Sequence, residues 1–351
     1  MKAPSEITLQ KIKCVIWDLD NTIWHGVILE EDNVTLRPAI IEIIKALDER
    51  GILQSISSKN DFNLAWQKLV NFGISEFFLY PQINWNHKSE SIKIIVKSLK
   101  IAMDSIAFID DQIFEREEVK FALPEVLCID ANHIDQLLAM PEMNPRFITE
   151  DSKLRRKMYQ SDIQRKEEEE KFNGPQEKFL ASLNMVFTID SVKDGDLQRA
   201  EELTVRTHQL NSTGYTYSYE ELDRFRKSKQ HKLLIADLED KFGTYGKIGL
   251  ALIECKKDLW TIKLLLMSCR VMSRGVGSIM INYISNLAKK NQARLQAEFL
   301  STERNRMMYV TYKFAGFEEV VVKENLVLFE NHLNQIQPYP NYLKVSILEK
   351  N

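Results

Sequence analysis

Between residues 11 and 130, short apolar runs alternate with longer stretches whose apolar residues recur at helical spacing. No other feature of the chain limits its fold as much. The runs IKCVIW (12–17), ILQSIS (52–57), FFLY (77–80), SIAFID (105–110) and EVLCID (125–130) are each the length of a buried strand. Between them, residues 38–50, 61–72, 88–100 and 114–122 have a helical period, with Ile40, Ile44 and Leu47 on one face of the first. Strands alternating with helices of this length predict an α/β domain, a parallel sheet covered on both faces. Ligands of such sheets bind outside the carboxyl ends of the strands. Three polar clusters fall at that edge: Asp18-Leu-Asp20, Ser57-Ser58-Lys-Asn60 and Asp110-Asp111. Any one of them alone reads as a turn or a helix cap. Three on one edge point to a site.

Residues 151–184 change character. KLRRKMYQSDIQRKEEEEKF is a highly charged helical stretch, read as a solvated face, and it stops at the breaker NGPQ. It is expected to connect a first domain, residues 1–150, to a second, residues 185–351. The second domain is richer in strands: MVFTI, KLLIADLE, KIGLALIEC and WTIKLLLMSC precede a glycine-interrupted turn and a helix over 278–290. A chain of 351 residues exceeds what one ordinary core fills, in keeping with two domains. There are no internal repeats and no low-complexity tails.

Composition excludes several function classes. A net charge of −3 argues against a nucleic-acid or anionic-membrane surface, and no apolar run approaches the ~18 residues of a membrane span. The opening MKAPSEITLQKIK lacks the apolar core of a signal peptide, so a cytoplasmic location is expected. The four cysteines, Cys14, Cys128, Cys255 and Cys269, form no CxxC pair and have no closely spaced histidine, which argues against structural zinc and a disulfide framework. Free thiols are expected, with Cys14 and Cys128 serving as packing inside apolar strands.

The residue types at the sheet edge suit one chemistry. Asp18 is a carboxylate that can accept a phosphoryl group as an aspartyl phosphate. Asp20, two positions on, points the same way from an extended segment and can move the leaving-group proton. Asp110 and Asp111, with Asp18 and Asp20, offer hard oxygen ligands for Mg²⁺, and the metal's charge lets the carboxylates stay ionised together. Ser58 or its neighbour Ser57 offers a hydroxyl to phosphate oxygens, with Asn60 beside them and Lys88 as the cation. Only 37 residues separate Asp20 from Ser58 and 29 separate Ser58 from Lys88. Neither gap holds a folded cap of ~50 residues. A capless, open site suits a bulky or protein-tethered substrate, or a lid supplied from elsewhere.

In this order and on these strands, the four motifs resemble the haloacid dehalogenase (HAD) superfamily across the first 130 residues. WDLDNTIWHGVI, SSKND, WNHKSESI and FIDDQIFEREEVKFALPEV are similar to its FkbH-like branch, HAD subfamily IIIC type. That branch carries a second domain of acetyltransferase-like (GNAT) α+β fold, and the likeness continues in RTHQLNSTGYTYS, KFGTYGKIGLALIE and LLMSCRVMSRGVG, to about residue 320. The resemblance implies removal of phosphate from an acyl phosphate such as 1,3-bisphosphoglycerate and passage of the glyceryl unit to an acyl carrier protein. No pantetheine-attachment motif occurs here, so that carrier is expected to be a separate protein. The chain departs from the family at His25-Gly26, where two glycines are usual, and at Gln112, where Asn is usual.

In the second domain the resemblance implies a pantetheine pyrophosphate seat at Gly275 and Gly277, with charge from Arg270 and Arg274. It also singles out Cys269 as a thioester-forming nucleophile, with His208 as base and Asn211 as orienting partner. A buried apolar thiol and polar helix-end caps are the plainer readings of the same residues. Three functions therefore compete: the coupled phosphatase and acyl transferase; a stand-alone magnesium phosphatase of a sugar phosphate or other metabolite, with the second domain as lid or docking surface; and an acyl-CoA-dependent N-acyltransferase.

Overall fold

The structure, a computed structural model, describes residues 12–31 and 33–349. Most of the opening segment judged to lack a signal core lies outside them. The chain divides into two compact units, Met1–Asp162 and Ile163–Asn351.

In the first unit five strands form one parallel sheet in the order Gln82–Ile83, Leu53–Ser58, Cys14–Trp17, Ile106–Asp110 and Leu127–Asp130. Every residue of the three inner strands is buried, which is why Cys14–Trp17 reads as an unbroken apolar run and Ile106–Asp110 as one up to its closing aspartate, while Leu53–Ser58 buries Gln54 and three serines. Helices Ile40–Glu49, Phe62–Asn71, Lys88–Leu99 and Ile113–Ala122 connect them. The Asp61 carboxylate caps the second of these by accepting from Leu64 N at 3.0 Å. The α/β parallel-sheet architecture is the one the sequence predicts.

One expected strand is absent. FFLY does not extend: Ser75–Phe77 is a 3₁₀ turn, Phe78 makes a single bridge to Gln54, and Tyr80 turns at φ +52°. The edge strand comes later, at Gln82–Ile83. Phe77, Phe78 and Leu79 are apolar because they are buried, and a turn buries them as well as a strand would. The segment after Asp20 adds a small hairpin, Trp24–His25 with Thr35–Leu36, in place of a cap.

The second unit is α+β. Its eight-stranded sheet runs Phe317–Lys323, Leu326–Asn331, Arg294–Leu300, Leu259–Met267, Gly243–Cys255, His231–Asp240, Met185–Ser191 and Leu343–Ile347. Pairing is antiparallel except between Leu259–Met267 and Arg294–Leu300, and between the two end strands Met185–Ser191 and Leu343–Ile347. Helices Leu197–Arg206 and Tyr219–Lys227 cover one face, on Leu233, Ile235, Leu250 and Leu264. Helices Ile279–Lys290 and Arg306–Phe314 cover the other. The central parallel pair stays in register only from Leu259–Ile262 against Arg294–Ala297. A bulge follows at once, the strands part, and Leu210–Ser212 enters the gap. There Met267 N donates to Leu210 O, Ser212 N to Leu265 O and Leu300 N to Ser212 O, each at 2.9 Å. The charged connector contains helix Arg155–Lys171. No helix of the described residues is long and apolar enough to cross a membrane.

Candidate active site

Strands Cys14–Trp17 and Ile106–Asp110 are hydrogen-bonded neighbours, so Asp18 and Asp110 leave the same edge side by side. Asp18 is 6% and Asp110 1% exposed. One oxygen from each of Asp18, Asp110 and Asp111 lies within 4.8 Å of the others. Lys88 opens the Lys88–Leu99 helix and reaches into the group: its Nζ donates to Asp18 Oδ1, to Asp110 Oδ2 at 3.0 Å and to Ser57 O at 2.8 Å. Burial alone would pull the Lys88 pKa down, but the Asp18 and Asp110 charges outweigh it and hold the ammonium above its usual range. Lys88 is hydrogen-bonded to two of the three carboxylates. Burial, then repulsion from Asp18, pushes Asp110 up to about 7 even with Lys88 beside it. Asp111 is raised by the same two causes, and its Oδ1 is buried without a hydrogen-bond partner.

This donor set fits a hard divalent cation: three carboxylate oxygens converge, burial and then repulsion from Asp18 raise Asp110 and Asp111, and one buried oxygen is unclaimed. Mg²⁺ would be held by Asp18, Asp110 and Asp111. Protons compete with it, because Asp110 takes one as the pH falls through about 7. Mg²⁺ affinity, read by calorimetry, should therefore weaken clearly between pH 8 and pH 6; equal affinity at both would count against this ligand set. Without metal the sign reverses for stability. A carboxyl whose pKa is raised on folding binds its proton more tightly folded than unfolded, so metal-free stability falls as pH rises from the ordinary carboxylate range towards about 7.

Asp20 does not join that group. Its carboxylate accepts from Trp24 Nε1 at 2.7 Å, Asn60 Nδ2 at 2.9 Å and Ile28 N at 3.2 Å. Burial raises its pKa, against the pull of these donors. The sequence placed Asp20 among the metal ligands and Asn60 on phosphate; the structure pairs the two with each other, because the hairpin draws the Asp20 side chain toward Trp24. Asn60 thus helps to hold the Asp20 carboxylate in place. Ser58 is buried at its strand end, and the fully buried Ser57 Oγ has no hydrogen-bond partner. Arg116 escaped the sequence reading. Its Nη1 donates to Asp110 O and Asp111 O at 2.8 Å each, while Nη2 holds Asp130, so it braces the double-aspartate backbone. Its place one helical turn past the aspartates was the only signal. Gln112 N caps Asp110 Oδ1 at 2.8 Å through its backbone, which Asn would do equally. His25 is exposed on the hairpin.

In the second unit the expected groups do not assemble into an open phosphate seat. Arg274 is buried and paired with Glu169 at 3.3 Å, and Arg270 Nη2 donates to Tyr245 O at 2.8 Å. Gly275 turns at φ +67°, and Tyr342 donates its hydroxyl proton to Gly275 O at 3.1 Å. A Cβ at Gly275 would meet that hydroxyl at 2.0 Å. Gly277 has open space around it. Asn211 is fully buried, with Nδ2 donating to Thr207 O and Oδ1 accepting from Thr213 N and Gly214 N, so its amide holds a turn. Cys269 is half-buried at the start of the Cys269–Arg274 3₁₀ turn, and His208 is exposed. The Leu210–Met267 hydrogen bond places both at the same end of the inserted segment, two residues beyond it on each chain. Cys14 is buried and Cys128 half-buried, and burial pushes the Cys128 thiol up to about 11.

No protein-family model and no curated protein matches the chain. Among solved structures it is similar to the N-terminal part of BF1531 from Bacteroides fragilis, which contains a phosphatase domain and is complexed with Mg. That match has 30% identity and a TM-score of 0.35, and covers 39% of this chain and 41% of that one. The chain thus spans about two fifths of the length of that N-terminal part. It is also similar to ribosomal-protein-S18-alanine N-acetyltransferase from Escherichia coli, with 15% identity, a TM-score of 0.34, and coverage of 44% of this chain and 97% of that one. The spermidine/spermine N-acetyltransferase SpeG from Vibrio cholerae matches at 15% identity and a TM-score of 0.32, over 41% of this chain and 91% of that one.

Proposed function

We propose that the first unit is a metal-dependent phosphatase that works through an aspartyl phosphate. The observation that carries this reading is the Asp18–Asp110–Asp111 carboxylate group with Lys88 shared between its two buried members. A bound divalent cation would offset the carboxylate charge and draw charge from a phosphate oxygen. The residues do the rest. Asp18 attacks phosphorus, forming the Asp18–phosphorus bond while the bond to the leaving oxygen breaks. Asp20, its pKa raised by burial, gives that oxygen its proton. Water then attacks the phosphorus, Asp20 takes the water's proton, and phosphate leaves Asp18 free. Lys88 and a strand-end serine hydroxyl stabilise the charge on the transferred group.

The finer reading couples this site to acyl transfer. The ester phosphate of 1,3-bisphosphoglycerate would be removed at Asp18, while a thiol attacks the acyl carbon and expels the acyl phosphate as inorganic phosphate, and the resulting thioester would pass the glyceryl unit to the thiol of a separate acyl carrier protein. It is supported by the resemblance of SSKND, FIDDQ and MSCRV to FkbH-like proteins and by the shared position of Cys269 and His208 beside the inserted segment. A stand-alone phosphatase is the second reading, supported by Arg270, Arg274 and Gly275 being committed within the second unit. That commitment speaks against the acyl-CoA-dependent N-acyltransferase.

One incubation separates them: purified protein, Mg²⁺, 1,3-bisphosphoglycerate and a pantetheinylated carrier protein, followed by intact-protein mass spectrometry. A glyceryl adduct on the carrier supports coupled transfer, and phosphate release alone supports the phosphatase. In the coupled case Cys269→Ala should keep phosphate release and lose the carrier adduct. Transfer by that variant at the wild-type rate would exclude a Cys269 thioester.

A further inference from the structure

Helix Ile113–Ala122 is amphipathic the wrong way round. Its inward residues are mostly charged. Glu115 accepts from Lys59 at 2.6 Å, Arg116 holds the Asp110 and Asp111 carbonyls, and Glu118 accepts from the Ser89 hydroxyl at 2.6 Å. Val119 is the helix's only buried apolar side chain. The outward residues include Ile113 (70% exposed), Phe114 (72%) and Phe121 (92%). Glu117 and Lys120 stand among them, equally exposed, as a loose pair at 3.6 Å. Helical geometry puts these five within an arc of about 120°, so they form one contiguous face. A surface helix ordinarily turns its apolar residues to the core and its charges to water. Two phenylalanines and an isoleucine side by side in water mark a face that something covers.

The order of residues along the face selects the partner. It runs aromatic, acid, base, aromatic: Phe114, Glu117, Lys120, Phe121. Read backwards it runs aromatic, base, acid, aromatic, which is its own complement. A two-fold axis between Glu117 and Glu118 sets Phe114 of each copy opposite Phe121 of the other. Glu117 then lies two residues, about 3 Å along the helix, from the second copy's Lys120, within a lysine's reach. Each contact occurs twice. We propose that this helix is a two-fold interface on which a second copy of the chain packs antiparallel. Each phenylalanine can bury roughly 150–250 Å². Four of them with two isoleucines reach about the lower limit of a stable interface, so the dimer forms reversibly at micromolar concentrations.

Sedimentation of the full chain across a micromolar concentration range tests this. The mean mass should climb towards that of a dimer as concentration rises. Phe121→Asp should raise the dissociation constant at least about tenfold. Its melting temperature in dilute, monomeric solution should not change, because the side chain it replaces is exposed. The charge pair supplies a sharper measurement. Glu117→Lys sets lysine against lysine across the axis, and Lys120→Glu sets acid against acid, so each variant alone should dissociate. Mixed in equal amounts, the two present acid to base at both contacts, and a heterodimer should form where neither homodimer does. A merely structural role of the pair within one helix gives no such recovery. A mixture that stays monomeric overturns the proposal, as does a wild-type monomer at every concentration. A dimer that Phe121→Asp leaves intact overturns it too, since assembly would then use another face. So does a monomer that binds an acyl carrier protein and loses it in Phe121→Asp, since the face would then serve that partner.

Discussion

Replacing Asp18 by Asn should lower phosphate release by at least about a thousandfold, because a neutral amide cannot attack phosphorus. The loss should fall on kcat, and mass spectrometry of the acid-quenched enzyme should show no covalent phosphate. The fold should survive. Asn has the shape of Asp, and Lys88 keeps its bonds to Asp110 and Ser57 O. Removing one of three mutually repelling carboxylates should leave the metal-free melting temperature unchanged or higher. Turnover within about tenfold of wild type would remove Asp18 from the nucleophile's role.

The second large effect concerns stability. Arg165→Met should destabilise the second unit by about 3–5 kcal/mol, the usual consequence of leaving one member of a buried ion pair alone. Arg165 and Asp240 both have 0% side-chain exposure. The guanidinium makes a two-point contact, Nε to Oδ2 at 2.7 Å and Nη2 to Oδ1 at 2.8 Å, and lies 3.8 Å above the Tyr245 ring. Tyr245 donates its own hydroxyl proton to Asp240 at 2.9 Å, so the loss of Arg165 leaves a buried carboxylate with too few donors. For a unit of this size the melting transition should drop by roughly 10 °C. The double variant Arg165→Met with Asp240→Leu should recover part of the loss, since replacing both charges removes the desolvation cost that one orphaned charge incurs. Arg165→Met melting within 2–3 °C of wild type, about one kcal/mol, would show the pair to be energetically idle.

Periodicity and composition determined most of the first unit. Alternating buried runs and amphipathic helices announce a parallel sheet, because each strand must be covered on both faces, and the polar clusters mark which edge is chemically active. The sequence also put Asp18, Asp110 and Asp111 on that edge and singled out Lys88 as the cation. Their convergence was decided by strand order: Cys14–Trp17 lies between Leu53–Ser58 and Ile106–Asp110, which brings distant carboxylates within reach of one lysine. Apolar pattern reports burial and not backbone path, so FFLY was read as a strand where a turn buries the same side chains. Residue type reports what a side chain can bond and not what it meets. Asn60 was read toward phosphate and holds Asp20; Arg274 was read toward a pyrophosphate and holds Glu169. The charged run 153–172 was read as solvated, yet it contributes a guanidinium with no exposed surface. Each of these outcomes depends on a partner far away in the chain, and a partner is supplied only by packing.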